Sequence, residues 1–165
     1  MLRKNSGFTF AELMVVLGII AIIMALAIPG LIGWIPKHKL GTASRDLLST
    51  LEVARVRAVR ERVSVGIEFD VTTYTVFIDN GAGGGNPDNA VHDGSEQIIR
   101  NGEMPAGISM TAATFGGNPN FRFNNQGFPI GAGGAPTGGT ITVTNTRDTR
   151  FVNLSLAGNG SITKP

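Results

Sequence analysis

Glu12 stands at the start of a segment that carries no charged residue from Leu13 to Ile35. A carboxylate inside a lipid bilayer costs a few kcal/mol at the centre and less near the headgroups. The residues alone leave two interpretations open. Either Glu12 merely marks the boundary between headgroups and hydrocarbon, or it has a function.

The other residues with catalytic potential are few and poorly placed for catalysis. His38 lies between Lys37 and Lys39, directly after the apolar segment, and His92 is followed by Asp93. A base and an acid that are adjacent in sequence do not form a catalytic triad, and no serine stands in a nucleophile elbow. The 165-residue chain has no cysteine, which excludes disulfides, thiol catalysis and cysteine-bearing metal sites. The sequence therefore predicts no enzyme activity and no cofactor.

One glycine-rich stretch contains oxygen-bearing side chains of the kind that calcium prefers. They are Asp79, Asn80, Asp88, Asn89 and Asp93. Their spacing matches no EF-hand loop, and Asn and Asp are also common turn residues. Calcium binding is therefore the weaker alternative, and we predict no metal site.

The apolar segment is long enough to cross a membrane. As a helix, Leu13–Ile35 spans roughly 34 Å at about 1.5 Å per residue, against about 30 Å of hydrocarbon. The segment is longer than the apolar core of a secretory signal peptide, and no A-x-A-like cleavage site ends it. Pro29 removes one backbone hydrogen bond, so we expect the helix to be loosened there. Arg3 and Lys4 weakly favour an amino terminus on the inside.

The charge balance gives little attraction for nucleic acid. The formal net charge is +2. Without Arg3 and Lys4, the 14 basic residues become 12, which equals the 12 acidic residues. A chain of this length is suited to one domain of ordinary size plus an anchor.

The start of the apolar segment resembles the leader junction of type IV pilins and pseudopilins. Gly7-Phe8-Thr9-Phe10-Ala11-Glu12-Leu13 follows a short basic head that ends in glycine, and it places glutamate at the fifth mature position of a hydrophobic helix. The resemblance implies that a membrane prepilin peptidase cuts between Gly7 and Phe8 and methylates the new amine of Phe8. It also implies that Glu12 pairs with the amino terminus of a neighbouring subunit and sets the register of assembly.

Apolar side chains recur at spacings of three or four beyond the apolar segment, which is typical of one helix face. They are Leu40, Ala43, Leu47, Leu51, Ala54 and Ala58. We predict one helix from near Phe8 to about Arg62, loosened between Pro29 and Pro36. Its second half should lie against a globular domain.

A basic cluster ends this predicted helix. It consists of Arg55, Arg57, Arg60 and Arg62. With Glu52 and Glu61 as neighbours, the cluster is typical of a solvated face. A basic patch for a partner or nucleic acid is the weaker alternative, because these offsets distribute the arginines around the helix.

Beyond the predicted helix, the hydrophobic period changes to two. Alternation over 63–69 and 74–78 predicts two strands. Later short strands are expected at 97–100, 108–112, 121–123, 140–144 and 151–156. The glycine-rich stretches 80–89 and 127–139 are predicted to be exposed flexible loops without strands. Phe128 and Ile130 give the second stretch apolar content, which could partly fix it or offer a contact surface. This pattern predicts antiparallel sheets that pack on each other or on the helix.

Parts of the domain are similar to the GspH/FimT branch of minor pseudopilins. They are the arginine-rich stretch 55–62, Tyr-Thr-Val-Phe-Ile-Asp at 74–79, Gln-Ile-Ile-Arg at 97–100 and Phe-Arg-Phe-Asn-Asn-Gln-Gly at 121–127. Some FimT-type proteins bind DNA through a Gly-Arg-x-Arg motif near the carboxyl end. The corresponding stretch 160–164 lacks both arginines. Arg147, Arg150 and Lys164 could still contact phosphates, but DNA is not an expected partner.

The resemblance implies an α+β fold, in which a long amino-terminal hydrophobic helix, the pilin stem, packs on a carboxyl-terminal antiparallel β-sheet domain. The chain would comprise a leader (1–7), a membrane and filament-core half of the helix (8–36), an amphipathic half (37–62) and a β-rich domain (63–165). The implied function is a minor pseudopilin, a filament subunit that drives export by a type II secretion system. The alternative is a minor pilin of a type IV pilus, acting in pilus assembly or DNA uptake.

The same resemblance implies where the chain resides and what it contacts. It would be a single-pass protein of the bacterial inner membrane, with the globular domain in the periplasm, until it joins a pseudopilus or pilus. Its implied partners are prepilin peptidase, other pseudopilins or pilins, the inner membrane and secreted cargo.

Overall fold

The computed structural model describes residues 8–131 and 133–165 of the chain. Gly7, the predicted end of the leader, lies outside the described residues. The elements are α1 (Phe10–Glu61), β1 (Val65–Phe69), β2 (Thr73–Ile78), a 3₁₀ turn (Ala82–Gly84), β3 (Ile98–Glu103), β4 (Ser109–Phe115), β5 (Phe121–Phe123), β6 (Pro129–Gly131), β7 (Gly139–Thr144), β8 (Thr149–Leu154) and β9 (Gly160–Thr163). The fold is therefore α+β, as predicted.

Two compact units make up the chain, and the second is Lys37–Pro165. In the first unit, Phe10–Ile28 has a mean hydropathy of 2.7 and leaves its side chains exposed. Within the described part of the chain, this is the one helical segment whose length and composition suffice to cross a membrane.

The two prolines of the apolar region do not interrupt α1. The helix continues through both Pro29 and Pro36, although the sequence led us to expect loosening between them. A proline withdraws one amide donor from a helix, while the hydrogen bonds of neighbouring residues can persist. The helix therefore has no break in the region where the sequence predicted loosening.

A Schellman motif ends α1. Arg62 adopts a left-handed conformation with φ 57°, and the amide of Val63 donates to the carbonyl of Ala58 at 3.2 Å. This bond satisfies one of the carbonyls that a helix end leaves without a partner. The helix thus ends one residue before the predicted boundary, and the chain turns directly towards β1.

The strands form two antiparallel sheets. The first sheet has the order β3-β2-β1-β5-β6, and the second has the order β4-β7-β8-β9. In the first, Val65 pairs with both Ile78 of β2 and Phe123 of β5. In the second, β7 pairs with β4 on one side and β8 on the other.

The core of the second unit lies between the helix and these sheets. All six residues of the predicted helix stripe are buried in it: Leu40, Ala43, Leu47, Leu51, Ala54 and Ala58. Phenylalanine rings from both sheets meet there, with the ring centroids of Phe115 and Phe121 4.0 Å apart. In β1, a Cβ on Gly66 would overlap the ring of Phe77. Glycine is therefore required where this ring crosses the neighbouring strand.

The period-two segments form strands as predicted, with boundaries shifted by a few residues. The prediction of 121–123 coincides with β5, and 140–144 falls within β7. The sequence did not predict β9. This strand pairs with β8, with Thr163 opposite Phe151 and Gly160 opposite Leu154. This short segment contains Gly160 and two polar residues, so its hydrophobic pattern is too weak to indicate a strand.

The prediction that 127–139 contains no strand is wrong. Pro129–Gly131 forms β6, which pairs with β5 at the edge of the first sheet. Proline is compatible with an edge strand because its missing amide need not face a neighbour. Ile130 is buried, so its apolar side chain fixes this part of the stretch against the sheet.

Candidate assembly site at the start of the apolar helix

Thr9 and Glu12 form a capping box at the start of α1. The backbone amide and the hydroxyl of Thr9 each donate to Oε2 of Glu12, both at 3.0 Å. In return, the amide of Glu12 donates to Oγ1 of Thr9 at 3.2 Å. This reciprocal pattern satisfies amide donors that the first turn of a helix otherwise leaves without partners.

The cap fixes the position of the Glu12 carboxylate. The side chain is exposed, and the carboxylate lies at the positive end of the helix dipole, which favours an anion. Both bonds from Thr9 go to the same oxygen, Oε2. Since a carboxylate offers about four lone-pair positions, the group can accept a further donor while it caps the helix.

Phe8, one of the two predicted processing residues, is the first residue that the structure describes and adjoins the capping box. Phe8 is 83% exposed, and it directly precedes the Thr9 amide that binds Glu12. The structure therefore places Phe8, Thr9 and Glu12 together. Gly7 lies outside the described residues, so its expected role stays a prediction.

Sequence reasoning overlooked the capping role of Thr9. The signal was present, because Thr9-Phe10-Ala11-Glu12 has the Thr-x-x-Glu spacing of a capping box before an apolar run. The cap adds a third interpretation of Glu12 to the boundary and pairing interpretations. It also provides a way to separate them, since capping needs the Thr9 hydroxyl and pairing needs the Glu12 charge.

The arginine cluster does not form one solvated face. Arg55 is half-buried and binds loops that follow β5 and β8. Its guanidinium donates to the carbonyls of Gly127 at 3.0 Å, Gly158 at 3.1 Å and Ala157 at 2.7 Å. The prediction was therefore wrong for Arg55, because its contacts come from residues far away in sequence.

The other arginines of the cluster agree better with a solvated face. Arg57 pairs with Glu61 at 3.1 Å, one helical turn away. Arg60 and Arg62 are exposed. Both side chains of this pair are partly buried, and a pair four residues apart on a helix contributes about 0.3–0.5 kcal/mol. Charge at these positions therefore has little influence on the fold.

Two buried carboxylates organise the first glycine-rich stretch. Asp79 accepts hydrogen bonds from the amides of Asp88 at 2.7 Å and Ala90 at 2.8 Å. Glu96 accepts from the amides of Asn80 at 2.9 Å and Gly81 at 2.8 Å. The stretch has no strand, as predicted, but it is not simply an exposed loop.

The calcium alternative gains no support from this geometry. Both oxygens of Asp79 accept backbone amides, and burial raises the pKa of this carboxyl above its ordinary value of 3.8. Asp93 accepts from the amide of Asn86 and the side chain of Asn89. Within residues 8–131 and 133–165, no group of three His, Cys, Asp or Glu side chains is arranged to hold a metal ion.

His92 and Asp93 have separate partners. Nε2 of His92 lies 3.2 Å from the carbonyl oxygen of Glu96, and its ring meets the Phe77 ring edge to face at 5.2 Å. Asp93 binds the amide of Asn86 instead. His92 therefore packs the loop against Phe77 of the first sheet, whereas Asp93 binds within the loop.

Comparison with known families separates the chain into two matched regions. The family described as type II transport protein GspH matches residues 43–160. The prokaryotic N-terminal methylation motif matches residues 2–28, a region that includes Phe8 and Glu12. The chain matches no curated protein sequence.

Solved structures from two bacteria share the fold. The type IV minor pilin FimU of Pseudomonas aeruginosa is 18% identical, with a TM-score of 0.55, and the match covers 78% of this chain and 90% of FimU. The minor pseudopilin EpsH of the Vibrio cholerae type II secretion system is 11% identical, with a TM-score of 0.57. That match covers 78% of this chain and 96% of EpsH.

Proposed function

The chain belongs to the GspH family of type II transport proteins, and on that premise we propose that it is a minor pseudopilin of a type II secretion system. Subunits of this family are non-enzymatic components of filaments. The single observation that carries the filament role is the capped carboxylate of Glu12 at the start of an exposed apolar helix, and the match to the GspH family supports secretion over a pilus. An exposed apolar helix with one carboxylate near its end is suited to a membrane first and to a filament afterwards.

The first proposed step is processing. The prepilin peptidase cuts between Gly7 and Phe8 on the cytoplasmic side of the inner membrane and methylates the new amine of Phe8. The high exposure of Phe8 and the match to the methylation motif support this step. The domain that begins at Lys37 then lies on the periplasmic side.

The second proposed step is assembly. An unpaired carboxylate in lipid is costly, and the positive amine of a neighbouring subunit relieves that cost. Glu12 lies in the first turn of α1, so the helix backbone presents the carboxylate in a defined place. A subunit out of register would leave both charges unmatched, so Glu12 sets the register of the filament.

Processing is tested by mass spectrometry of the membrane fraction. Coexpression with prepilin peptidase should give a chain that begins at a methylated Phe8, and Gly7→Leu should block the cut. A chain that stays uncut beside an active peptidase would contradict the proposal and indicate a simple membrane-anchored domain.

The second candidate function is a minor pilin of a type IV pilus, in its assembly or in DNA uptake. The likeness to FimU supports this candidate at the level of the fold. Deletion of the gene with complementation separates the two. Trapped exported proteins with intact pili would favour secretion, whereas lost pili with intact secretion would favour the pilus.

A further inference from the structure

Basic side chains gather where the second unit begins. They are Lys37, Lys39, Arg147, Arg150 and Lys164, and we call this group the basic end. The link between helix and sheet is direct: a Cβ built on Gly41 would lie 3.2 Å from Nη2 and 3.3 Å from Cζ of Arg150. The guanidinium of β8 therefore lies against α1 at Gly41.

The other members adjoin this contact. Lys37 precedes Gly41 by four residues, so the two share one face of the helix, whereas Lys39, two residues before Gly41, lies on another face of the same turn. Arg147 belongs to the turn that joins Thr144 of β7 to its partner Thr149 of β8. Lys164 directly follows Thr163, which pairs with Phe151 beside Arg150.

Acidic side chains offset little of this charge. Asp148, in the same turn as Arg147, brings one negative charge against the five positive charges of the basic end. Asp46, further along α1, pairs with Arg100 at 3.4 Å. The positive charges of Lys37, Lys39 and Lys164 are carried by exposed side chains. The basic end thus has an excess of positive charge that faces solvent.

The covalent chain keeps this charge close to the apolar segment. Gly41 follows Ile35 by six residues, which reach at most about 21 Å even when fully extended. We propose that the basic end binds the phosphate headgroups of anionic phospholipids at the membrane surface. The proposal rests on the membrane anchoring in the proposed function and adds a lipid preference to it.

The observations favour lipid over DNA. Because the chain joins the basic end to the apolar segment, the basic end encounters lipid headgroups at a high effective concentration, whereas DNA must be captured from solution. Each basic residue near an anionic membrane surface contributes about 1 kcal/mol of attraction. The whole chain without its leader has equal numbers of acidic and basic residues, 12 each, and so attracts a polyanion weakly at long range.

Trp34 provides the readout, because it is the one tryptophan of the sequence and precedes Lys37 by three residues. The full chain is placed in nanodiscs of equimolar phosphatidylcholine and phosphatidylglycerol. Bromine, a quencher of tryptophan fluorescence, is carried by the acyl chains of one lipid or the other. We expect bromine on phosphatidylglycerol to quench Trp34 about twofold more than bromine on phosphatidylcholine, with the ratio falling towards one at high salt.

Two double variants with equal charge loss test the assignment. Lys37→Gln with Lys164→Gln removes charge from the basic end and should bring the quenching ratio close to one. Arg60→Gln with Arg62→Gln removes the same charge from the other end of the helical part of the second unit. This control should keep the parental ratio.

The outcomes separate this inference from the proposed function. If neither lipid quenches Trp34, membrane anchoring fails and the lipid preference fails with it. Equal quenching by both lipids leaves anchoring intact and overturns the preference alone. Salt-sensitive binding of duplex DNA in phosphatidylcholine nanodiscs, lost on Lys37→Gln with Lys164→Gln, would assign the basic end to DNA and also overturn the proposal.

Discussion

The first and second parts of α1 place their apolar side chains in opposite environments. From Phe10 to Ile28 the helix leaves large apolar side chains exposed, whereas from Leu40 to Ala58 it buries one stripe in the domain core. A helix that is apolar on all sides needs lipid or partners around it, and a helix with one stripe needs only one covered face. The chain itself therefore covers the apolar side chains of the second part of α1, whereas those of the first part need lipid or another subunit to cover them.

The largest expected effect comes from truncating the buried stripe. Leu47 is 0% exposed, and Leu26 in the apolar region is 79% exposed. We expect Leu47→Ala to lower the free energy of unfolding by about 2–5 kcal/mol, because it leaves a cavity. Leu26→Ala should change it by less than about 0.5 kcal/mol. Urea unfolding of the full chain in detergent micelles measures both, and equal losses would contradict the comparison.

A smaller effect is expected at the buried carboxylate of the first glycine-rich stretch. Asp79 is 2% exposed and accepts backbone amides on both oxygens. Asp79→Asn offers one acceptor in place of two, so it should cost about 1–3 kcal/mol of unfolding free energy. Glu52→Gln, at an exposed position of α1, is the control. A neutral Asp79→Asn would show that the loop does not depend on this carboxylate.

The pH dependence of the same pair gives a second check on Asp79. Burial raises the pKa of Asp79 in the folded protein, so the folded state binds the proton more tightly than the unfolded state. The contribution of Asp79 to stability should therefore fall as the pH rises from about 4 through the raised pKa. The difference in unfolding free energy between the parent and Asp79→Asn should shrink over that range. A free-energy difference that grows as the pH rises would mean that folding lowers the pKa of Asp79 and would contradict this prediction.

Arg55 tests whether the sheet side of the helix depends on polar contacts as well as on burial. Arg55→Gln removes the bonds to the carbonyls of Gly127, Ala157 and Gly158. We expect a loss of about 1–2 kcal/mol in urea unfolding. Arg60→Gln, on the same helix but exposed, should stay within about 0.5 kcal/mol of the parent. Similar losses of unfolding free energy for the two variants would mean that Arg55 behaves as a solvated residue, as the sequence suggested.

The smallest effect is expected where α1 ends. Arg62 has a positive φ, a conformation that costs a residue with a Cβ about 1–2 kcal/mol and glycine almost nothing. Arg62→Gly should raise the thermal midpoint, with a gain of about 0.5–1 kcal/mol. Arg60→Gly, at the penultimate residue of α1, should lower stability by up to about 1 kcal/mol. The opposite signs distinguish a true helix end from a frayed one.

Patterns within the sequence predicted most of the fold. The stripe from Leu40 to Ala58 was predicted because helical spacing is local information, and β1, β2 and β7 because period-two alternation is local too. In contrast, β6 and β9 depend on pairing with β5 and β8. Their own hydrophobic patterns are too short to reveal them.

The same distinction applies to the sites. The Thr9–Glu12 cap lies within four residues and could have been predicted from its spacing. The bonds of Arg55 join residues that are 72 and 103 positions apart, so no local pattern indicates them. Asp79 was weighed as a calcium ligand because its composition fits, but its amide partners depend on how the loop folds back.

In the proposed filament, the charge of Glu12, rather than its cap, places the subunit. Glu12→Gln removes the charge and can still accept the Thr9 amide, whereas Thr9→Ala removes the hydroxyl of the cap and keeps the charge. The measurement is the amount of each processed variant in sheared filaments, relative to the amount in the membrane fraction. We expect Glu12→Gln to reduce incorporation by about tenfold or more and Thr9→Ala to leave it near the parental level. Normal incorporation of Glu12→Gln, or a larger loss with Thr9→Ala, would contradict the claim.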